Sequence, residues 1–288
     1  MNSTFQLSTG RIAATIAAAL IEILLPLALA LLVRRRLGVG WRYFAYGALI
    51  FLLFQLVTRV PLVQLIQSQI APALQASRTL LVAWIAVLSL TAGLAEEIGR
   101  YVGYRWLMRR EEKTWPKAIM YGVGHGGLES MLLVGGLVLL GLINLLALSA
   151  TNVDALPISP EQRAQLLQQI AAVRAQPDWL PLVGAWERVW SIAFHVAMSV
   201  VVLQVFRRGS MRWLYLAIAA HALVDFVATG VPVLLGLRGT TALLVPEATI
   251  TVVGMLGLWL IWRLRDRPGA TESASAADQP GGAPGAAG

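Results

Sequence analysis

The chain has 288 residues, 57% of them hydrophobic and only 13% charged, whereas an ordinary soluble domain is roughly 25% charged. That excludes a soluble globular protein. Long apolar stretches recur along the sequence and predict an all-α, polytopic transmembrane helical bundle. There are no cysteines, which excludes disulfides, thiolate chemistry and cysteine-based metal sites.

Seven segments are long and apolar enough to cross a bilayer, at about 11–33, 43–66, 79–108, 118–149, 182–206, 212–236 and 245–262. The first contains Ala28-Leu29-Ala30, which loosely resembles a signal-peptidase site. Its apolar run is too long for a signal peptide and Arg34, Arg35 and Arg36 follow directly, so a retained first span is expected. The third and fourth are near 30 residues, about 10 more than a bilayer needs, so they must tilt or project beyond it. Between the fourth and fifth, Ser159, Pro160 and Gln162 read as N-cap, first helical residue and capping-box partner. Leu166, Leu167, Ile170 and Val173 then form one apolar face, which predicts a short helix lying on the surface. Residues 1–267 read as one integral membrane domain, and 268–288 as a low-complexity, disordered tail.

The net charge of +8 is a topology signal rather than a nucleic-acid surface. Four regions, 34–42, 105–117, 207–212 and 263–267, carry 15 Lys and Arg, whereas the alternate ends carry 5 (Arg11, Arg78, Arg163, Arg174 and Arg238). The positive-inside rule then places the N-terminus outside and the C-terminus in the cytoplasm. No nucleic-acid partner is expected.

Ionisable residues inside spans are costly and mark function by default. "AGLAEEIGRY" puts Glu96, Glu97 and Arg100 in the third span. The only histidines, His125, His195 and His221, lie in the fourth, fifth and sixth. With Glu129 and Asp225 these groups fall roughly 12 to 20 Å from the arginine-rich ends at about 1.5 Å per residue. Four spans thus place ionisable groups in one slab. His125 and Glu129 share a helix face, with Tyr121 one turn earlier; so do His221 and Asp225, with Thr229 one turn later. Arg100 can neutralise either glutamate. Glu96 and Glu97 are about 100° apart around the helix, so one is expected to face the site. Glu97 is favoured, because Gly93, Glu97, Arg100 and Tyr104 form one small-or-polar stripe. The glycines of "YGVGHGG" allow close helix approach around His125. A structural ion pair or a packing histidine would account for one span but not for four. Glu22, Gln55 and Arg59 read as a separate buried group, and Glu187 and Arg188, near the outer boundary, as interfacial or structural.

Three imidazoles with carboxylates suit a divalent metal, zinc first among them, held by His125, His195, His221, Glu129 and Asp225 in some combination. Glu97 would act as the base with Glu96 and Arg100 beside it. There is no G-x-S-x-G, no H-E-x-x-H and no second intramembrane aspartate. "EEIGR", "YGVGHGGLE", the fifth-span histidine and "HALVD" resemble the YhfC family of predicted intramembrane metalloproteases, and more distantly the CAAX-type, bacteriocin-processing and PrsW proteases. The resemblance covers spans three to six. It implies an integral protein of a bacterial cell membrane that hydrolyses a peptide bond of a membrane protein or peptide within or near the lipid bilayer. Arg100 comes one residue earlier than in the CAAX-type pattern, Tyr121 stands for Phe, Asp225 for Asn, and Glu129 is an added carboxylate; these differences weigh against prenylated substrates. The competing reading is a transporter coupled to protons or a divalent cation, using Glu97, Glu129 and Asp225. It would favour two similar halves with broken helices, and no such duplication is seen.

The basic asymmetry predicts that reporter fusions at Thr151 read outside and at Ser210 cytoplasmic; the reverse pattern would invert the topology.

Overall fold

A computed structural model describes residues 6–266. They are almost entirely helical. The helices are α1 (Thr9–Leu37), α2 (Trp41–Ala76), α3 (Arg78–Trp106), α4 (Trp115–Ser149), α5 (Pro160–Ala175), α6 (Pro181–Arg208), α7 (Arg212–Leu235) and α8 (Gly239–Arg263). All but α5 are long and apolar enough to span a membrane, so the protein is a polytopic helical membrane bundle. Each predicted span falls within a helix or within two residues of its ends. The second runs about ten residues further than its apolar core, through "QSQIAPALQA". The expected disordered tail, 268–288, lies outside the described residues.

Helix α6 is the axis. In its most apolar stretch 78% of residues are buried, against a third or less in every other span. Ala185, Ser191, Ala197 and Ser199 are small buried positions along it, Arg188 and His195 face the polar interior, and apolar side chains cover the rest, so every face can take a neighbour. It packs against α1, α3, α4, α7 and α8. Around it α3 pairs with α7, α2 with α4 and α3, α1 with α4, and α7 with α8. The outer surface carries exposed Leu20, Leu53, Leu65, Leu137, Leu223 and Trp259, as lipid-facing helices require.

The α2–α4 pair depends on two glycines. A Cβ at Gly47 would run into the Tyr121 carbonyl oxygen, and one at Gly124 into the Phe44 backbone. The two backbones therefore touch, as small residues allow in membrane bundles. Both helices also contain a widened π-helical stretch, Leu52–Arg59 in α2 and Ser130–Gly135 in α4. Such stretches insert a residue into the 3.6-residue period and recur at functional sites.

The short helix forms where the sequence places it. Ser159 accepts from the Gln162 N–H, and the Gln162 side chain accepts from the Ser159 N–H. Leu166, Ile170 and Val173 pack with Val153, Leu145 and Leu148. Leu167, expected on the same face, is 40% exposed instead. Arg11 of α1 holds α5 by donating to the Val173 carbonyl at 2.7 Å.

Gly124→Ala should lower the thermal unfolding temperature in detergent, because overpacking costs about 1–3 kcal/mol. Gly141→Ala in the same helix meets nothing within 4 Å and should raise it slightly, because alanine favours helix by roughly 0.5–1 kcal/mol. Equal shifts in the two variants would refute the close-contact account.

Candidate functional site

The slab of ionisable groups is one connected cluster. Its centre is a single oxygen, Glu96 Oε2. His125 Nε2 lies 2.9 Å away, Arg100 NH2 3.5 Å, His195 Nδ1 3.7 Å and His221 Nε2 3.8 Å. The three imidazoles form a row, with ring centroids 5.5 Å apart from His125 to His195 and 5.6 Å from His195 to His221. They come from α4, α6 and α7, and glycine lets two of those helices close. A Cβ at Gly126 would sit 2.9 Å from His195 Cβ, and one at Gly122 2.6 Å from the Val196 Cα.

Glu97 is the second anchor. Its Oε1 accepts from Arg100 and lies 2.6 Å from His221 Nδ1. Its Oε2 is buried with no hydrogen-bond partner. Of the two glutamates Glu96 lines the cleft and Glu97 does not, whereas the sequence favoured Glu97. Carboxylates 100° apart both find polar neighbours, because α7 flanks α3 on one side while α2, α4 and α6 enclose the other. Arg100 is fully buried between them and donates its NH2 to His195 Nδ1 at 2.7 Å. A guanidinium only donates, so Nδ1 is the acceptor. The His195 proton then sits on Nε2, which faces Glu129 Oε2 at 2.7 Å.

Other residues expected at the site stand at its edge. Glu129 accepts from Arg188 at 3.0 Å. Asp225 Oδ2 is 3.9 Å from His221 Nε2 and partly exposed. Tyr121 does not join the carboxylates; its hydroxyl donates to the Arg100 carbonyl at 3.4 Å, below the cluster. Thr229 bonds to its own helix at the Asp225 carbonyl.

Two groups assigned elsewhere by the sequence belong here. Gln55 donates to Glu96 Oε1 at 3.1 Å and accepts from Arg59 at 3.3 Å. It is not part of a separate pair with Glu22. Gln55 sits in the widened stretch of α2, whose altered phase a regular helical wheel does not show. Arg188 is buried and bonds Glu129 and Glu187, so it is part of the cluster rather than interfacial. Its i,i+3 and i,i+7 spacing to Ser191 and His195 was the available signal.

Above the cluster is a cleft of about 460 Å³. Glu96, His195, His221, Glu129 and Asp225 face it, and Ile85, Leu88, Phe194 and Val224 supply apolar wall. Glu97, Arg100 and His125 lie behind that surface. The cleft reaches Glu187, Thr229 and Pro246, toward the face opposite the arginine-rich turns. On the arginine-rich side Tyr104, Met108, Met120 and Tyr121 are fully buried and close it.

The donor set fits a metal ion. Glu96, His125 and His195 each offer a ligand atom, all within 4.8 Å of one another and all buried. Five carboxylates in or just behind the cleft (Glu96, Glu97, Glu129, Glu187 and Asp225) face three guanidiniums (Arg59, Arg100 and Arg188), which leaves room for further positive charge. Imidazole with carboxylate is borderline-hard chemistry that suits zinc and its neighbours in the first transition row.

The comparisons with known proteins agree with this picture. The chain is 29% identical over 221 residues to "Uncharacterized membrane protein YhfC" of Bacillus subtilis (strain 168), covering 76% of this chain and 82% of that protein. No solved structure gives a significant match. A family model described as YhfC intramembrane metalloprotease matches residues 21–245, which contain every helix that contributes to the cluster. The chain belongs to the YhfC intramembrane metalloprotease family.

Proposed function

We propose that the protein is a metal-dependent endopeptidase that cleaves a membrane protein or peptide within the bilayer. The observation that carries this reading is the surrounding of Glu96 Oε2, which has three histidines from three helices and Arg100 within 4 Å, at the floor of a cleft that can admit water. A structural ion pair needs no such convergence.

Glu96, His125 and His195 would hold the metal, zinc being the ion their chemistry suits best; His195 would offer Nδ1, with the ion taking the place of the Arg100 N–H which that nitrogen accepts. Such an ion supplies Lewis-acid stabilisation of negative charge developing on an oxygen. The remaining groups divide the proton work. Glu97 Oε1 faces His221 Nδ1 and fixes the proton there, so His221 Nε2 presents its lone pair to the cleft. A water in the cleft loses its proton to His221 Nε2 as its oxygen attacks the peptide carbonyl carbon. His221 returns that proton to the amide nitrogen as the C–N bond breaks, leaving a carboxyl and an amine. Arg100 balances Glu97 and keeps Glu96 in place. Glu129 and Arg188 hold the far side of His195. In this assignment, unlike the sequence expectation, His221 is the base rather than a candidate ligand, and Glu129 and Asp225 are not metal donors. Glu96 joins the metal donors, and Glu97 positions His221 instead of acting as the base.

The assignment makes separable predictions. Purified protein should contain near-stoichiometric zinc by elemental analysis, and a His125→Ala/His195→Ala variant should lose it. His221→Ala should keep the metal yet lose turnover by about 10²–10⁴-fold, the usual worth of a general base. Metal loss in His221→Ala equal to that in the double variant would move His221 into the donor set. Full activity in verified metal-free protein would leave a hydrolase but end the metalloprotease reading.

Glu97→Gln should insert normally and abolish cleavage, because it no longer orients His221 and leaves Arg100 underpaired. A membrane proteome comparison with wild type should then show an uncleaved membrane protein accumulating in the mutant. A wild-type cleavage pattern in folded Glu97→Gln would remove this residue from the chemistry.

A further inference from the structure

A second concavity lies at the arginine-rich face, away from the cluster. It holds about 480 Å³ between the ends of α6 and α8, lined by Gln204, Arg207, Arg208, Arg263, Leu264, Arg265 and Asp266. Four guanidiniums meet a single carboxylate there. Arg207 pairs with Asp266. Arg208 donates to Gln204 Oε1 at 3.0 Å and stacks over Trp213, 4.9 Å from its ring centroid. Gln204 is buried and forms the floor. Arginines scattered on a cytoplasmic face serve topology alone. These come from helix ends more than 50 residues apart in sequence and converge on one hollow.

Beside it runs an apolar groove of about 410 Å³, along the seam between α1 and α8. Leu25 and Leu29 of α1, Ile119 of α4, Val196 of α6, and Leu258 and Ile261 of α8 line it, and no charged side chain does. The two concavities are joined through Trp115. Its ring lines the groove and donates to the Ile261 carbonyl at 2.8 Å, while its backbone N–H donates to Asp266 of the basic pocket at 3.4 Å. Leu264 and Arg265 follow directly on the end of α8 at Arg263 and line the pocket.

We propose that these two features form one site for an anionic phospholipid. The phosphate headgroup sits among Arg207, Arg208, Arg263 and Arg265, and an acyl chain lies in the groove. Basic pockets between membrane helices favour such headgroups, each cation near the surface adding roughly a fivefold preference. Guanidiniums suit phosphate through paired N–H donors. The adjoining groove selects a lipid over a free phosphate, because a soluble anion would leave it unused.

The test uses the full chain, purified in detergent or placed in phosphatidylcholine nanodiscs, with phosphatidylglycerol as the probe. Native mass spectrometry should show one phosphatidylglycerol retained per chain in preference to phosphatidylcholine, with a raised unfolding temperature. Arg208→Gln/Arg265→Gln should weaken that binding on the order of 30-fold, and Arg208→Lys/Arg265→Lys should restore most of it. Leu258→Trp, at a half-exposed position in the groove, should weaken lipid retention without changing the unfolding temperature in lipid-free detergent. Equal retention of the two lipids, or unchanged affinity in the glutamine pair, would overturn the proposal. Displacement of phosphatidylglycerol by inorganic phosphate at matched concentration would reassign the pocket to a soluble anion.

Discussion

One buried guanidinium organises this bundle. Arg100 has no solvent contact, and an unpaired ion so placed would cost several kcal/mol. Its own helix supplies Glu97 and Glu96, and α6 supplies His195 Nδ1. Those carboxylates carry further lone pairs that must also be filled. Glu96 takes Gln55 from α2 and His125 from α4, and Glu97 takes His221 from α7. Satisfying one cation thus ties five helices together. Dispersion and small residues bring the backbones close, as at Gly47 and Gly124. That packing tolerates sliding, whereas the charged hydrogen bonds fix which turn of each helix meets which. The site and the register of the bundle are therefore the same set of contacts.

The spans were legible because the bilayer leaves little choice: an apolar run of twenty residues must be a helix. The slab of ionisable groups was legible for the same reason, since each is too costly to occur without a partner. What the sequence did not show were relations across helices. Gln55 sits on a face that a regular wheel assigns elsewhere, and a widened stretch of α2 turns it toward Glu96. The choice between Glu96 and Glu97 rested on a site open to one side of α3. The site encloses α3 on both sides, so a stripe of small residues beside Glu97 did not identify the cleft-facing carboxylate. That stripe instead marks where α7 packs, with a Cβ at Gly93 falling 2.7 Å from the Ile218 carbonyl oxygen.

The two adjacent glutamates are then not redundant. Successive residues on a helix point to different neighbours, and here those neighbours differ in kind. Glu96 looks into the cleft and meets three imidazoles, while Glu97 looks toward Arg100 and the Nδ1 side of His221. A lone glutamate could supply either a ligand or an orienting partner, but not both at once. The adjacent pair lets one turn of α3 do both within a few ångströms.

The closure of the cluster on one side sets the direction of access. Toward the arginine-rich face, Tyr104 and Tyr121 stack with centroids 4.9 Å apart, and Tyr104 donates to the Ser199 carbonyl at 2.9 Å. Those bonds knit α3, α4 and α6 together just below Arg100. Above it the cleft opens, and Arg59, Glu187, Arg188 and Thr229 continue its polar lining to the other face. In the orientation that the basic residues favour, water reaches Glu96 from outside and not from the cytoplasm.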